Sequence, residues 1–188
     1  MKKTKRTFIA VKVPVDDNIE YLVSYLKESL SDEKIRWIKP ENLHITLRFI
    51  GETDWEKIGE ISEQLDELVS DHNIFELGLK DLGVFRSVTY PRVLWAGLNN
   101  VEPLKRIKLD LDQRLKSILD QDEDKRFSPH LTLGRMKKIE IRKRLANLIS
   151  EFSGKEITSF SIDKLIYFES VLRSDGAVYE PVSIHSLS

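Results

Sequence analysis

Hydrophobic and polar positions change rhythm repeatedly along this chain. Over Thr7–Val13, Ile9, Val11 and Val13 alternate with Phe8, Ala10 and Lys12, and Pro14 closes the run. A period of two predicts a strand. Ile19, Leu22, Val23, Leu26 and Leu30 then recur at helical spacing, predicting an amphipathic helix capped by Asp16 or Asp17. Ile35–Ile38 reads as a short strand, Pro40-Glu41-Asn42 as a turn, and His44–Ile50 as a strand that Gly51 ends. Asp54 opens a second helix reaching Val69, with Ile58, Ile61, Leu65 and Leu68 as its stripe. Strands follow at Ile74–Phe85 and Arg92–Leu98, separated by a loop over Ser87–Pro91, and Asn99-Asn100 makes a turn. Leu104, Ile107, Leu111, Leu115, Ile118 and Leu119 mark a third helix, Asp120–Arg126 a charged loop, and Pro129–Met136 another strand. Ile141, Leu145, Leu148 and Ile149 mark a fourth helix ending near Gly154. Glu156–Ser170 holds a strand, Ser174-Asp175-Gly176 a turn, and Val178–His185 the last strand.

The order suggests a duplicated αβ unit whose halves pack as two lobes of one domain. The sharpest sign of duplication is Leu43-His44-Ile45-Thr46-Leu47-Arg48-Phe49 beside Pro129-His130-Leu131-Thr132-Leu133-Gly134-Arg135. Each reads His, apolar, Thr, Leu. Residues two apart on a strand share a face, so His44 and Thr46 point one way and Ile45 and Leu47 the other. His130 and Thr132 repeat this against Leu131 and Leu133. The two polar pairs are expected to face each other across one cleft.

Two opposed histidines suit acid–base chemistry, since imidazole titrates near ~6.5. One, neutral, can take a proton from water; the other, protonated, can give one to a leaving oxygen. The threonine hydroxyls can donate hydrogen bonds to a charged group between them, such as a phosphate. No metal is needed for this. A single His-x-Thr in a strand is commonplace; two in matching strands carry the functional reading. The competing reading is zinc, which takes three or four ligands. Neither motif holds a carboxylate, and HxxxH, HxxE and HxH are absent, so only distant acids would complete such a site. His72 follows the second helix, where its side chain suits the carbonyl end, and His185 is expected to be exposed on the last strand.

The bulk properties narrow the choice. The chain has 188 residues, enough for a substantial core, and a net charge of −1, unlike a basic nucleic-acid scaffold. An RNA ligand would be gripped over a small part, such as an end. With no cysteine, disulfides, thiolate metal sites and cysteine nucleophiles are excluded. The basic start, Met1–Arg6, precedes only a short run broken by Lys12, too short for a signal-peptide core. No apolar stretch could span a membrane, and the expected location is cytoplasmic. G-x-S-x-G, Walker and G-x-G-x-x-G motifs are absent.

The paired HxTx motifs resemble the 2H phosphoesterase superfamily, and within it the bacterial and archaeal RNA 2′,3′-cyclic phosphodiesterases, also called 2′-5′ RNA ligases. The resemblance runs through Arg6-Thr7-Phe8-Ile9-Ala10, Trp37–Phe49 with Gly51, Leu82-Gly83-Val84-Phe85, Pro91–Trp95, Phe127–Arg135 and Gly176–Tyr179. It implies an α+β, LigT-like fold spanning residues 1–188 as a single bilobal domain. Two pseudo-symmetric αβ lobes, with antiparallel sheets, would face a central cleft. It implies a hydrolase that opens RNA 2′,3′-cyclic phosphate ends to 2′-phosphomonoesters without metal or cofactor. Members also join tRNA halves reversibly through a 2′-5′ linkage. By the same resemblance His44 is the proton donor to the 3′ oxygen and His130 the base, a distinction the symmetric motifs do not make. Thr46 and Thr132 would bind the phosphate, with Arg135 adding charge. RNA ends, tRNA halves among them, would be the partner of a monomer.

Strand parity turns Arg135 away from His130 unless a bulge near Gly134 re-aims it. Arg48 keeps the His44 face by parity and would reach the cleft or form a salt bridge at its rim. Phe8 and Tyr179 would either stack a base or belong to the core. A binding module for RNA ends or nucleotides without turnover would use the same residues, as would a phosphodiesterase for another small cyclic phosphate. A ligase lacking any ATP site would have to draw on the cyclic phosphate itself.

Overall fold

A computed structural model describes residues 4–119, 127–140, 142–174 and 176–188. The elements run β1 (Thr4–Lys12), α1 (Asp17–Ser29), β2 (Lys34–Trp37), β3 (His44–Asp54), α2 (Trp55–Ser70), β4 (Phe75–Phe85), β5 (Val93–Asn99), α3 (Glu102–Leu115), β6 (Leu131–Lys138), α4 (Arg142–Glu151), β7 (Glu156–Ile162), β8 (Lys164–Arg173) and β9 (Gly176–Ser186). Asp16 caps α1, its Oδ1 accepting from the Ile19 amide at 2.9 Å. A 3₁₀ turn over Pro40–Asn42 delivers the chain into β3. The charged stretch expected as a loop at Asp120–Arg126 lies outside the described residues, as does Asp175 in the final turn.

The strands form two antiparallel sheets, β3-β1-β8-β9 and β2-β6-β5-β4-β7. The fold is α+β and bilobal, but its lobes are not the two halves of the sequence. The C-terminal β8 and β9 complete the sheet of β1 and β3, while β2 from the first half edges the sheet of β6. The run expected as one strand at Glu156–Ser170 is two, broken at Asp163, one in each sheet. Its near-continuous apolar alternation hid the break. Helices α2 and α3 pack together, α2 lying against β3, β8 and β9, while α1 and α4 contact β7 and β4 of the other sheet. One continuous core joins Ile9 and Leu47 of the first sheet to Leu77 and Leu131 of the second.

Strand β1 is buried on both faces. Ile9 and Val11 enter the main core, whereas Phe8 and Ala10 pack with Ile166 and Phe168 in a smaller cluster beneath Tyr179. Phe8 is therefore buried with the core, although it also lines the cavity beside His44. His185 reverses its expectation: it is 3 % exposed. Its Nδ1 lies 2.6 Å from Asp66 of α2 and its Nε2 2.8 Å from Ser183. The alternation of β9 was legible but its phase was not, because helix α2 covers the His185–Leu187 face and leaves Ile184 exposed. His72, just past α2, faces Asp110 at 3.2 Å.

Candidate active site

The two motif strands, β3 and β6, come into contact where the sheets meet. Each carries the same irregularity. Opposite β1, Ile9 pairs with Arg48 and Ala10 with Thr46, so Leu47 is an extra residue. Opposite β5, Leu94 pairs with Gly134 and Trp95 with Thr132, so Leu133 is extra in the same place. A bulge reverses strand parity beyond it. The residue five past each histidine therefore returns to the cleft: Phe49 in the first copy and Arg135 in the second. Both line one cavity of about 220 Å³ together with Arg6, His44, Thr46 and Tyr179. The bulge that re-aims Arg135 is seated at Leu133 rather than Gly134.

The bulge also turns Arg48 inward. It is 7 % exposed, its Nη1 lying 2.6 Å from Asp112 Oδ1 on α3, and Lys108 pairs with the other carboxylate oxygen. Arg48 thus neither reaches the cleft nor bridges its rim. Gly134, in the matching place of the second copy, lies under Ile35, whose Cγ2 would sit 2.8 Å from an added Cβ. One copy fills this position with a buried ion and the other leaves it bare for the neighbouring strand.

The histidines are held alike. His44 Nδ1 donates to the Asn42 carbonyl at 2.6 Å, and His130 Nδ1 to the Ser128 carbonyl at 2.8 Å. A carbonyl only accepts, so Nδ1 carries the proton in both rings and Nε2 is the atom left for chemistry. Aromatic walls fix the ring planes. Tyr179 meets His44 edge-on at 5.0 Å with Phe8 at 5.1 Å, and Phe85 meets His130 edge-on at 4.6 Å. Trp95 backs Phe85 at 5.6 Å and fits over Gly83, where an added Cβ would come within 2.2 Å of its ring. Tyr179 lines the cavity and packs on His44, whereas Phe85 and Trp95, which the periodicity marked only as strand residues, are walls of the second motif. Their signal was the apolar run itself, which does not distinguish a wall from a core.

Burial pushes the His44 imidazole below its ordinary value. The Asn42 carbonyl opposes this, and the charges of Arg135 and His130 push further down. Burial likewise lowers His130, opposed by the Ser128 carbonyl and reinforced by Arg135. Arg135 thus acts on both imidazoles. It is exposed. Thr132, half-buried on β6, stands opposite Trp95, and Thr46 opposite Ala10. All five residues expected at the site thus lie on the two motif strands or immediately before them. Among the described residues no three His, Asp or Glu gather as metal ligands, and no helix is long and apolar enough to cross a membrane.

An α+β frame of two antiparallel sheets is shared with solved structures. TT0787 of Thermus thermophilus superposes with a TM-score of 0.79 at 22 % identity, covering 97 % of each chain. Escherichia coli LigT in apo form gives 0.77 at 20 % identity and covers 99 % of each chain. The chain belongs to the LigT like Phosphoesterase family, whose profile matches residues 9–95 and 100–179. It is also 30 % identical over 184 residues to the RNA 2′,3′-cyclic phosphodiesterase of Methanothermobacter thermautotrophicus, covering 97 % of this chain and 98 % of that one.

Proposed function

We propose that the protein hydrolyses RNA 2′,3′-cyclic phosphate ends to 2′-phosphomonoesters by two-histidine acid–base catalysis. The observation that carries this is the matched pair of imidazoles, each with Nδ1 committed to the carbonyl two residues back. Neutral His130 accepts a proton on Nε2 from the water that attacks phosphorus. Protonated His44 donates from Nε2 to the 3′ oxygen as its bond to phosphorus breaks, leaving the phosphate on the 2′ oxygen. Exchange with solvent then resets both rings. The assignment of acid and base follows the family resemblance, because the two motifs are alike in geometry. Thr46 and Thr132 donate hydrogen bonds to phosphoryl oxygens, and Arg135 offsets their charge.

The lowered imidazoles suit a base that must be neutral. An anionic phosphate beside Arg135 favours the protonated form of the acid, offsetting the cation. The near full-length relative named as an RNA 2′,3′-cyclic phosphodiesterase supports the same substrate class. The chain would act as one bilobal catalytic domain. Both motifs come from a single chain, which supports a monomer, and an RNA substrate, tRNA halves included, fits a cytoplasmic enzyme.

The test uses a short RNA with a 2′,3′-cyclic phosphate end in excess EDTA. Mass spectrometry should find one added water, and enzymatic mapping should place the phosphate on the 2′ oxygen. His44→Ala and His130→Ala should each lower the rate by ~10²–10⁴. Undiminished rates in both variants would refute the mechanism.

A further inference from the structure

At the end of β6 away from His130 lies a cavity of about 290 Å³ that the reaction does not use. Among the described residues, Arg86, Tyr90, Arg92, Lys137 and Arg142 line it, and no acidic residue does. Among the described residues none of these four cations forms an ion pair. Four such positive charges converging in a chain of net charge −1 make a local field for a polyanion.

We propose that this cavity grips the phosphodiester backbone of the RNA strand leading to the cyclic end, an inference that rests on the function proposed above. The position along β6 supports it. Lys137 lies two residues beyond Arg135, and both are exposed on either side of buried Met136. Arg92 immediately precedes Val93, the cross-strand partner of Arg135. At ~3.3 Å per residue the step from Arg135 to Lys137 is about 7 Å, and from His130 to Lys137 about 23 Å. A strand whose end sits at the histidines reaches the cavity a few nucleotides upstream.

The cavity is also built rather than incidental. The loop that carries five of its lining residues, Arg86 to Arg92, is pinned by Tyr90 N to Ser87 O at 3.2 Å, Arg92 N to Phe85 O at 3.2 Å and Met136 N to Arg92 O at 2.9 Å. Arg86 sits at φ 77, in the left-handed region that favours glycine, yet the position holds a long cation. The Arg142 guanidinium lies 5.4 Å over the exposed Tyr90 ring. Cations beside an exposed aromatic are the pairing that single-stranded RNA uses: charge for the backbone and a ring face for a base.

The experiment compares the parent protein with Arg92→Gln/Arg142→Gln and, as a second variant, Arg86→Gln/Lys137→Gln. Each is assayed on a 2′,3′-cyclic mononucleotide and on a twelve-nucleotide RNA with the same end. Binding of a twelve-nucleotide RNA ending in a 2′-phosphate is followed by fluorescence anisotropy over a range of salt. Each variant should bind this RNA about tenfold more weakly near ~0.1 M salt, with a log–log salt slope shallower by about 1.4 for two lost contacts. Turnover of the cyclic mononucleotide should not change. If RNA affinity and salt slope match the parent in both variants, the proposal is overturned and the cluster serves another polyanion, such as an acidic protein. Charge-dependent RNA binding without turnover of either substrate would support the backbone grip while sinking the hydrolase reading. Turnover with the same KM for both lengths would sink the grip alone.

Discussion

Asp112 is the residue whose loss should be felt most outside the cleft. Its carboxylate joins Arg48 of β3 to Lys108 of α3, and all three are under a tenth exposed. Asp112→Ala would leave two cations in a site with little water. The carboxylate is the counter-charge of both, so each would be left buried and uncompensated. Removing one partner of a buried pair costs about 3–5 kcal/mol, against a total stability of ~5–15 kcal/mol for an ordinary domain. For a chain of 188 residues, ~2–4 °C per kcal/mol converts this to a melting point lower by about 6–20 °C. Circular dichroism melts and urea titrations would measure it, with the urea midpoint falling and the slope unchanged. The triple replacement Arg48→Met/Asp112→Leu/Lys108→Leu should recover most of the loss, since apolar residues can replace a buried triad without penalty. A melting point within ~2 °C of the parent for Asp112→Ala would refute the claim that the triad is desolvated. Because Arg48 follows the Leu47 bulge and Lys108 lies 5.7 Å from the ring of Phe127, just before the second motif, turnover should also fall.

His44 and His130 are both held below their ordinary value, first by burial, so the unfolded chain binds more protons than the folded one as pH drops through ~6.5. The stability present above that pH is lost toward the lowered folded values; the melting point should fall between about pH 7 and pH 5, and His44→Gln/His130→Gln should flatten the trend. Arg135→Gln removes a cation that lowers both rings, so the pH–rate profile should move to higher pH; an unmoved profile would separate Arg135 from the histidines. Gly83→Ala would place a Cβ 2.2 Å from the Trp95 ring, costing ~1–3 kcal/mol in urea unfolding and slowing turnover by tilting Phe85 against His130. Unaltered stability would show that the ring has room to move.

The two motifs were legible from the sequence because strand period and residue type are local. His-x-Thr needs only neighbours two apart to place both side chains on one face, and the helices α1 to α4 announced themselves by spacing. Bulges are not local in this sense: Leu47 and Leu133 are ordinary strand leucines until β1 and β5 pair with them. Only that pairing decides that Arg135 and Phe49 enter the cleft and that Arg48 turns inward to Asp112. The phase of His185 was likewise set by α2 lying over β9, and the division into lobes by β8 and β9 crossing back to β1. Periodicity fixes which residues share a face. Which face meets water, and which strand meets which, depends on contacts between residues distant in the chain, and these exist only once it has folded.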